Sequence, residues 1–215
     1  MRFKDRTDAG RQLAELLAGR YAGIDGIVYA LPRGGVVLGV EIARRLGLPL
    51  DLIIARKIGH PHNPEYAIGA VTEQGELVTN PREIESVRRE WLAREIEKER
   101  REAERRHAVY LNGRTPLSAA GRTAILVDDG IATGLTMQAA IRAVQRQHPA
   151  RVVVAVPVVP ADTAARLERE ADEVVALDVA TDYFGAVGAY YDDFPQVTDG
   201  EVVELLRAME REPST

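Results

Sequence analysis

The sequence predicts an α/β protein, a three-layer sandwich built on a mainly parallel sheet. Three observations lead there: short runs rich in Val and Ile, helical stretches between them, and a composition with 46% hydrophobic and 28% charged residues. The apolar runs at 24–31, 50–57, 123–128, 151–158 and 174–179 show no polar alternation, the pattern of strands covered on both faces. Helical patterns occupy 34–47, 134–148 and 160–171, with Gly47 as a stop signal and Pro160 as a start signal. Strand and helix in alternation imply right-handed crossovers that place helices on both faces of the sheet.

Composition sets the outer bounds. A chain of 215 residues suits one domain, 1–215, with an appendage: a core over 22–160, a long charged helical insertion over 80–112 and a small C-terminal subdomain over 172–215. Its polar and apolar balance excludes wholesale disorder or a fibrous repeat. The absence of cysteine excludes a disulfide framework, a thiolate zinc site and a cysteine nucleophile. The first residues lack the apolar core of a secretory signal and no apolar run reaches membrane-spanning length, so a cytoplasmic protein without membrane contact is expected. A net charge of -5 argues against nucleic acid, whose phosphate backbone needs a basic face. Any phosphate site must therefore be local.

Two segments stand outside the alternation. AIGAVTEQGELVTN reads as a hairpin turning at Gln74 and Gly75, an antiparallel edge. The following 81–111 reads as one long helix, with Glu85 and Arg89, Glu90 and Arg94, and Glu97 and Arg101 spaced for i,i+4 pairing. Ile84, Val87, Trp91 and Ile96 are its expected contacts, and the remainder is expected to be solvated. The tail at 212–215 is expected to fray.

The chemistry concentrates in ILVDDGIATGLT, residues 125–136, where a buried strand runs into two acids, a Gly/Thr turn and a helix starting near Leu135. This order gathers backbone N–H groups and the hydroxyls of Thr133 and Thr136 around a helix N-terminus, an anion site. Asp128 and Asp129 cannot ligate phosphate; they suit a sugar diol, a metal or a developing cation. The competing reading is that these residues merely cap a turn and a helix. LPRGG, residues 31–35, also lies between a strand and a helix, where Gly34 and Gly35 permit close approach to an anion and Arg33 offers a charged fork, or where they form a plain turn. Lys57 ends the next apolar run, and lysine otherwise occurs only at positions 4 and 98. His60 and His62 flank Pro61 with no matching acid or cysteine spacing and read as solvated. Tyr183, Phe184, Tyr190, Tyr191 and Phe194 cluster near the C-terminus, either as packing or as a stacking platform for a planar group.

The 125–136 string resembles the phosphoribosyl-pyrophosphate (PRPP) signature of the type I phosphoribosyltransferase family. That resemblance implies a fold with a C-terminal hood, transfer of the 5-phosphoribosyl group from PRPP to a nitrogen nucleophile such as a nucleobase, release of pyrophosphate, and Mg²⁺. It implies that Asp128 and Asp129 hold the ribose hydroxyls, with weak metal contact. Ala132, Thr133, Gly134, Leu135 and Thr136 would wrap the 5-phosphate, with Leu135 a departure from the family pattern. Arg33, Gly34 and Gly35 would meet pyrophosphate in a loop that often holds a strained peptide, with Lys57 beside them, and Tyr183 and Phe184 would form the acceptor platform. Residues 58–122 take the place of the family's flexible loop. Members acting on 6-oxopurines carry aspartate where this chain has Ala132, which points away from that class. Implied partners are PRPP, a small-molecule acceptor and a homo-oligomeric copy. The rival is a non-catalytic PRPP- or nucleotide-sensing regulator on the same fold. A dinucleotide-dependent oxidoreductase would need G-x-G-x-x-G after the first strand, which LPRGGVVLG lacks.

Overall fold

The computed structural model describes residues 1–211, so the tail expected to fray lies outside the described residues. Five strands, β1 (Gly26–Ala30), β2 (Leu50–Leu52), β6 (Thr123–Val127), β7 (Arg151–Pro160) and β8 (Glu173–Ala180), form a sheet in the order β2-β1-β6-β7-β8. Every neighbouring pair is parallel. Successive residues of these strands enter opposite cores. Val28, Ile125 and Val153 pack with α1 (Arg6–Tyr21), α2 (Gly34–Leu46) and α7 (Asp199–Arg211), whereas Tyr29, Leu126 and Val154 pack with α5 (Leu135–Gln145) and α6 (Ala161–Leu167). The sheet is thus buried on both faces, which is why its strands lack polar alternation.

The strand order reverses between β1 and β6. From β1 the chain winds outward to β2, and from β6 it winds the other way through β7 to β8. The loops leaving the carboxyl ends of β1 and β6 therefore diverge, opening the crevice where ligands bind in open α/β sheets. These are the PRGG loop and the DDGIATG loop.

Three local expectations are corrected. The run 50–57 is not one strand. It divides into β2 and β3 (Ala55–His60), in different sheets. Within β3 only Ile58 is buried, the half-exposed pattern of an antiparallel strand, while Leu50–Leu52 is buried throughout. The hairpin, β4 (Asn63–Thr72) and β5 (Leu77–Thr79), is not an edge of the main sheet; it joins β3 in a separate antiparallel sheet ordered β3-β4-β5. Residues 173–180, expected in the C-terminal subdomain, form the fifth strand of the main sheet.

The long helix is shorter than 81–111 and less solvated. A four-residue α3 (Pro81–Ile84) precedes α4 (Arg89–Leu111). Among the described residues, Glu97–Arg101 is the one anticipated pair that forms, at 2.8 Å; Glu85 falls in the break between the helices. Val87, with Trp91 and Ile96, packs on Ile58 and Ile68 as expected. Farther along, Glu99 is buried against Arg56 of β3, and Tyr110 and Leu111 join the main core, so α4 is anchored at both ends.

Candidate functional site

The acid pair sits where β6 ends. Asp128 Oδ1 accepts the Asp129 backbone N–H at 2.8 Å. Asp129 Oδ2 accepts Arg6 Nε at 2.7 Å, in an ion pair whose side chains are 10% and 16% exposed. The Arg6 guanidinium lies 3.6 Å from the Phe194 ring centroid and donates through Nη1 to the Pro195 carbonyl at 2.6 Å. Burial raises the Asp128 carboxyl well above the usual range, and the charge of Asp129 pushes it further. Burial also raises Asp129, against the opposing pull of Arg6.

The PRGG loop packs directly on this pair. Gly34 opens α2, and a Cβ there would lie 3.0 Å from Arg6 Nε and closer still to the Asp129 carboxylate, so only glycine fits. Gly35 is buried, and the Pro32–Arg33 peptide is cis. Arg33 points to the first residue of α7, with Nη1 3.5 Å from Asp199 Oδ1. The same carboxylate accepts the Tyr110 hydroxyl at 2.7 Å and Arg105 Nη2 at 3.2 Å, which hold its pKa below the usual value.

The turn 132–136 meets the helix as expected, with α5 starting at Leu135. Gly134 at φ 79° sits in the left-handed region and provides the sharp entry. Among the described residues, the N–H groups of Ala132, Thr133, Leu135 and Thr136 donate to no protein acceptor. The carbonyls of the same turn are tied down from α6: Thr163 Oγ1 donates to Ala132 at 3.1 Å and Arg166 Nη2 to Thr133 at 3.1 Å. With carbonyls held and amides free, the turn is receptive to an anion. Beside it opens a cavity of about 640 Å³ walled by Ala132, Thr133 and Leu135, by Tyr183, and opposite by Tyr66 and Asn80. Residues of β4 and of the end of β5 thus share this cavity with the turn.

The aromatic segment lies over the acids. Tyr191 donates its hydroxyl to the Asp129 carbonyl at 2.6 Å, and Tyr190 and Tyr191 are buried. Tyr183 and Phe184 stack on Tyr190 with centroids 5.5 Å and 4.6 Å away, and Phe184 is 63% exposed. The Tyr183 hydroxyl is buried without a hydrogen-bond partner, and burial, with Tyr190 and Asp129 adding, pushes its pKa up to about 12. Phe3 bridges to Tyr191, and the Asp192 and Asp193 N–H groups donate to Phe3 and Lys4, so the aromatic segment is tied to the N-terminal residues.

The structure thus brings together Asp128, Asp129, Gly34, Gly35, the 132–136 turn and the aromatic segment. It sets Lys57 apart. That residue lies near the start of β3 instead of at the end of a main-sheet strand, and its Nζ bonds the Glu65 carboxylate at 3.0 Å and the Glu65 carbonyl at 3.2 Å. Among the described residues neither Lys57 nor the PRGG loop lines the cavity. His60 and His62 flank the β3–β4 turn, where the His62 N–H donates to His60 Nδ1 at 3.2 Å. Among the described residues no group of three or more His, Cys, Asp or Glu side chains could hold a metal, and no helix is long and apolar enough to cross a membrane.

Sequence reasoning missed Arg6, Thr163, Arg166 and Asp199. Arg6 carried one faint signal: it begins a helix capped by Asp5, where the helix dipole mildly disfavours a cation.

A doubly wound parallel sheet whose strand order reverses beside an acid pair and an anion-receptive turn defines an open α/β domain with a ligand crevice at its switch point. More narrowly, the chain belongs to the phosphoribosyl transferase domain family, which it matches over residues 4–195. It is 41% identical over 212 residues to a Mycobacterium tuberculosis protein carrying the provisional name phosphoribosyl transferase Rv0571c, covering 98% of this chain and 47% of that one. The chain therefore spans about half the length of this curated relative. The crystal structure of TT1426 from Thermus thermophilus is similar at 47% identity, with a TM-score of 0.79 over 97% of this chain and 99% of that one.

Proposed function

We propose that the protein transfers the 5-phosphoribosyl group of PRPP to a nitrogen nucleophile, a nucleobase being the acceptor that the aromatic segment suits. The observation that carries this reading is the acid pair of β6 followed directly by a turn whose amides are free and whose carbonyls are pinned. In this reading the 132–136 turn takes the 5-phosphate, and Asp128 and Asp129 face the ribose. Arg33, Gly34 and Gly35 meet the pyrophosphate, and Tyr183 and Phe184 offer the acceptor a flat, partly exposed stack. The acceptor nitrogen bonds to C1 as the bond from C1 to the pyrophosphate oxygen breaks, and the electron pair leaves with pyrophosphate. Positive charge develops on the ribose ring, and carboxylates fixed nearby lower that barrier without reorganising.

The residues present fit Mg²⁺ held chiefly by the ligand. Asp128 offers a hard oxygen donor and Asp129 is engaged by Arg6, so the donor set suits an ion that keeps one or two carboxylates and takes the rest from substrate oxygens. Such an ion would neutralise charge on the leaving group. Lys57 belongs to this reading as a second cation for pyrophosphate, once released from Glu65.

The test is a turnover screen with PRPP, Mg²⁺ and a panel of bases and amines, read as pyrophosphate release. Release that depends on acceptor supports the transferase. PRPP binding by calorimetry without release from any acceptor favours the regulator.

A further inference from the structure

We infer that Asp199, the first residue of α7, is a positioning residue for Arg33, held from α4 so that the cation of the PRGG loop is set for the pyrophosphate. The inference rests on the reading above and deepens it. Asp199 is not needed to begin its own helix. Thr198 and Glu201 do that between them: the Glu201 N–H donates to Thr198 Oγ1 at 3.2 Å, and Glu201 Oε2 accepts the Thr198 N–H at 2.6 Å, the reciprocal arrangement of a capping box. The Asp199 carboxylate is spent elsewhere. Its Oδ1 accepts the Tyr110 hydroxyl at 2.7 Å and meets Arg33 Nη1 at 3.5 Å, while Oδ2 accepts Arg105 Nη2 at 3.2 Å. The family match ends at residue 195, so this acid lies beyond it.

The support behind Asp199 is firm. Tyr110 is buried in the same core as Val202 and Leu206 of α7, and α4 is pinned farther back by Glu99 to Arg56 of β3 at 2.8 Å. Arg33 has no such support. Its side chain is 32% exposed, and among the described residues Asp199 is its one ion-pair partner. A long side chain already ordered by one contact loses less freedom when an anion arrives. Asp199 orients Arg33 without neutralising the surroundings, because it is shared with Arg105, and Glu102 is shared by Arg105 and Arg106. Three guanidiniums thus stand against two carboxylates. The contact to Arg33 uses one nitrogen and leaves the rest of the fork for phosphate oxygens. The long charged helix thereby acquires a role, as the strut from the second sheet to the PRGG loop.

The experiment is a double-mutant cycle over positions 33 and 199 in the full chain, read by calorimetric titration with PRPP, inorganic pyrophosphate and ribose 5-phosphate. Asp199→Asn still accepts from Tyr110 but lacks the charge that orients Arg33. It should weaken PRPP and pyrophosphate by about threefold to fivefold and leave ribose 5-phosphate unchanged. Arg33→Met should weaken PRPP by about tenfold to a hundredfold. Adding Asp199→Asn to Arg33→Met should cost nothing further, because a positioning residue has no effect once its cation is gone. Losses that add in the double variant, or an equal loss for ribose 5-phosphate, overturn the inference. Tighter PRPP binding by Asp199→Asn overturns it too, by showing that the acid sequesters Arg33. Should Asp199→Asn not fold, Tyr110→Phe decides: a loss confined to PRPP and pyrophosphate supports the positioning role, and unchanged affinity refutes it. A wild type that binds no PRPP overturns the transferase reading and this inference together, whereas PRPP binding with an additive cycle overturns the inference alone.

Discussion

Thr163 of α6 donates its hydroxyl to the carbonyl of Ala132, so the turn that follows β6 is braced by the helix that follows β7. Arg166 reinforces the brace from one turn further on, reaching Thr133. Thr163→Val removes the donor and keeps the shape, leaving the carbonyl unpaired. Stability should fall by about 1 kcal/mol, and phosphate affinity should fall with it as the turn loosens. Urea unfolding and phosphate titration of the same variant check both.

Gly134→Ala tests the turn directly. The φ of 79° disfavours any side chain, and the new methyl would lie 2.8 Å from Thr163 Cγ2. A cost of at least about 1 kcal/mol is expected, with loss of anion binding. In the unaltered protein, crystals grown with sulfate or phosphate should show the anion on the amides of 132–136. Amides blocked by a side chain in such crystals would refute the site.

Replacing both acids, Asp128→Asn with Asp129→Asn, should abolish phosphoribosyl transfer. The sequence alone suggests that the fold would be untouched, but the ion pair to Arg6 changes that expectation. Loss of Asp129 charge leaves Arg6 buried and uncompensated, for a destabilisation of about 3–5 kcal/mol. Differential scanning calorimetry should show it, and Asp128→Asn alone should not.

Lys57 and Glu65 set up a competition. If Lys57 grips pyrophosphate it must leave Glu65, so Glu65→Ala should tighten PRPP binding by a few fold while ribose 5-phosphate binding stays constant. Lys57→Ala should weaken PRPP alone. Its effect on stability should stay below about 1 kcal/mol, as for an exposed pair. Calorimetric titration with both ligands separates these outcomes, and equal changes for the two ligands would remove Lys57 from the site.

Glu73 gives a pH dependence of known sign. Burial raises its carboxyl above the usual 4.5, although His107 Nδ1 lies 3.5 Å from Oε1. A group raised in the folded state stabilises in its protonated form. Its contribution is therefore complete below pH 4.5 and is lost as pH rises through the elevated folded value. Glu73→Gln should flatten the fall in Tm over that interval, measured by thermal scans from pH 4 upward.

Much of the fold was legible because buried parallel strands announce themselves locally. The ends of β1, β6, β7 and β8 fall within a few residues of the apolar runs. The run 50–57 misled because continuous apolarity does not say which sheet a strand joins, and Arg56 and Lys57 at its end were too few polar residues to mark the change. The site divides in the same way. Asp128 to Thr136 are contiguous, so one strand-turn-helix displays them. Arg6 and Asp129 lie 123 positions apart, and no local pattern connects them. Lys57 was singled out by rarity, which carries no direction in space.

The reach of Arg6 has a consequence for how the protein is made. Vectorial synthesis delivers Arg6 early, while Pro195, whose carbonyl it must meet, comes 189 positions later, just behind Phe194. Until then α1 carries a guanidinium without its aromatic cover, and the mouth between β1 and β6 has no roof. The sheet can assemble strand by strand as it emerges, but the pocket closes only when the returning segment crosses it. Completion of the site thus waits on a segment from the last tenth of the chain.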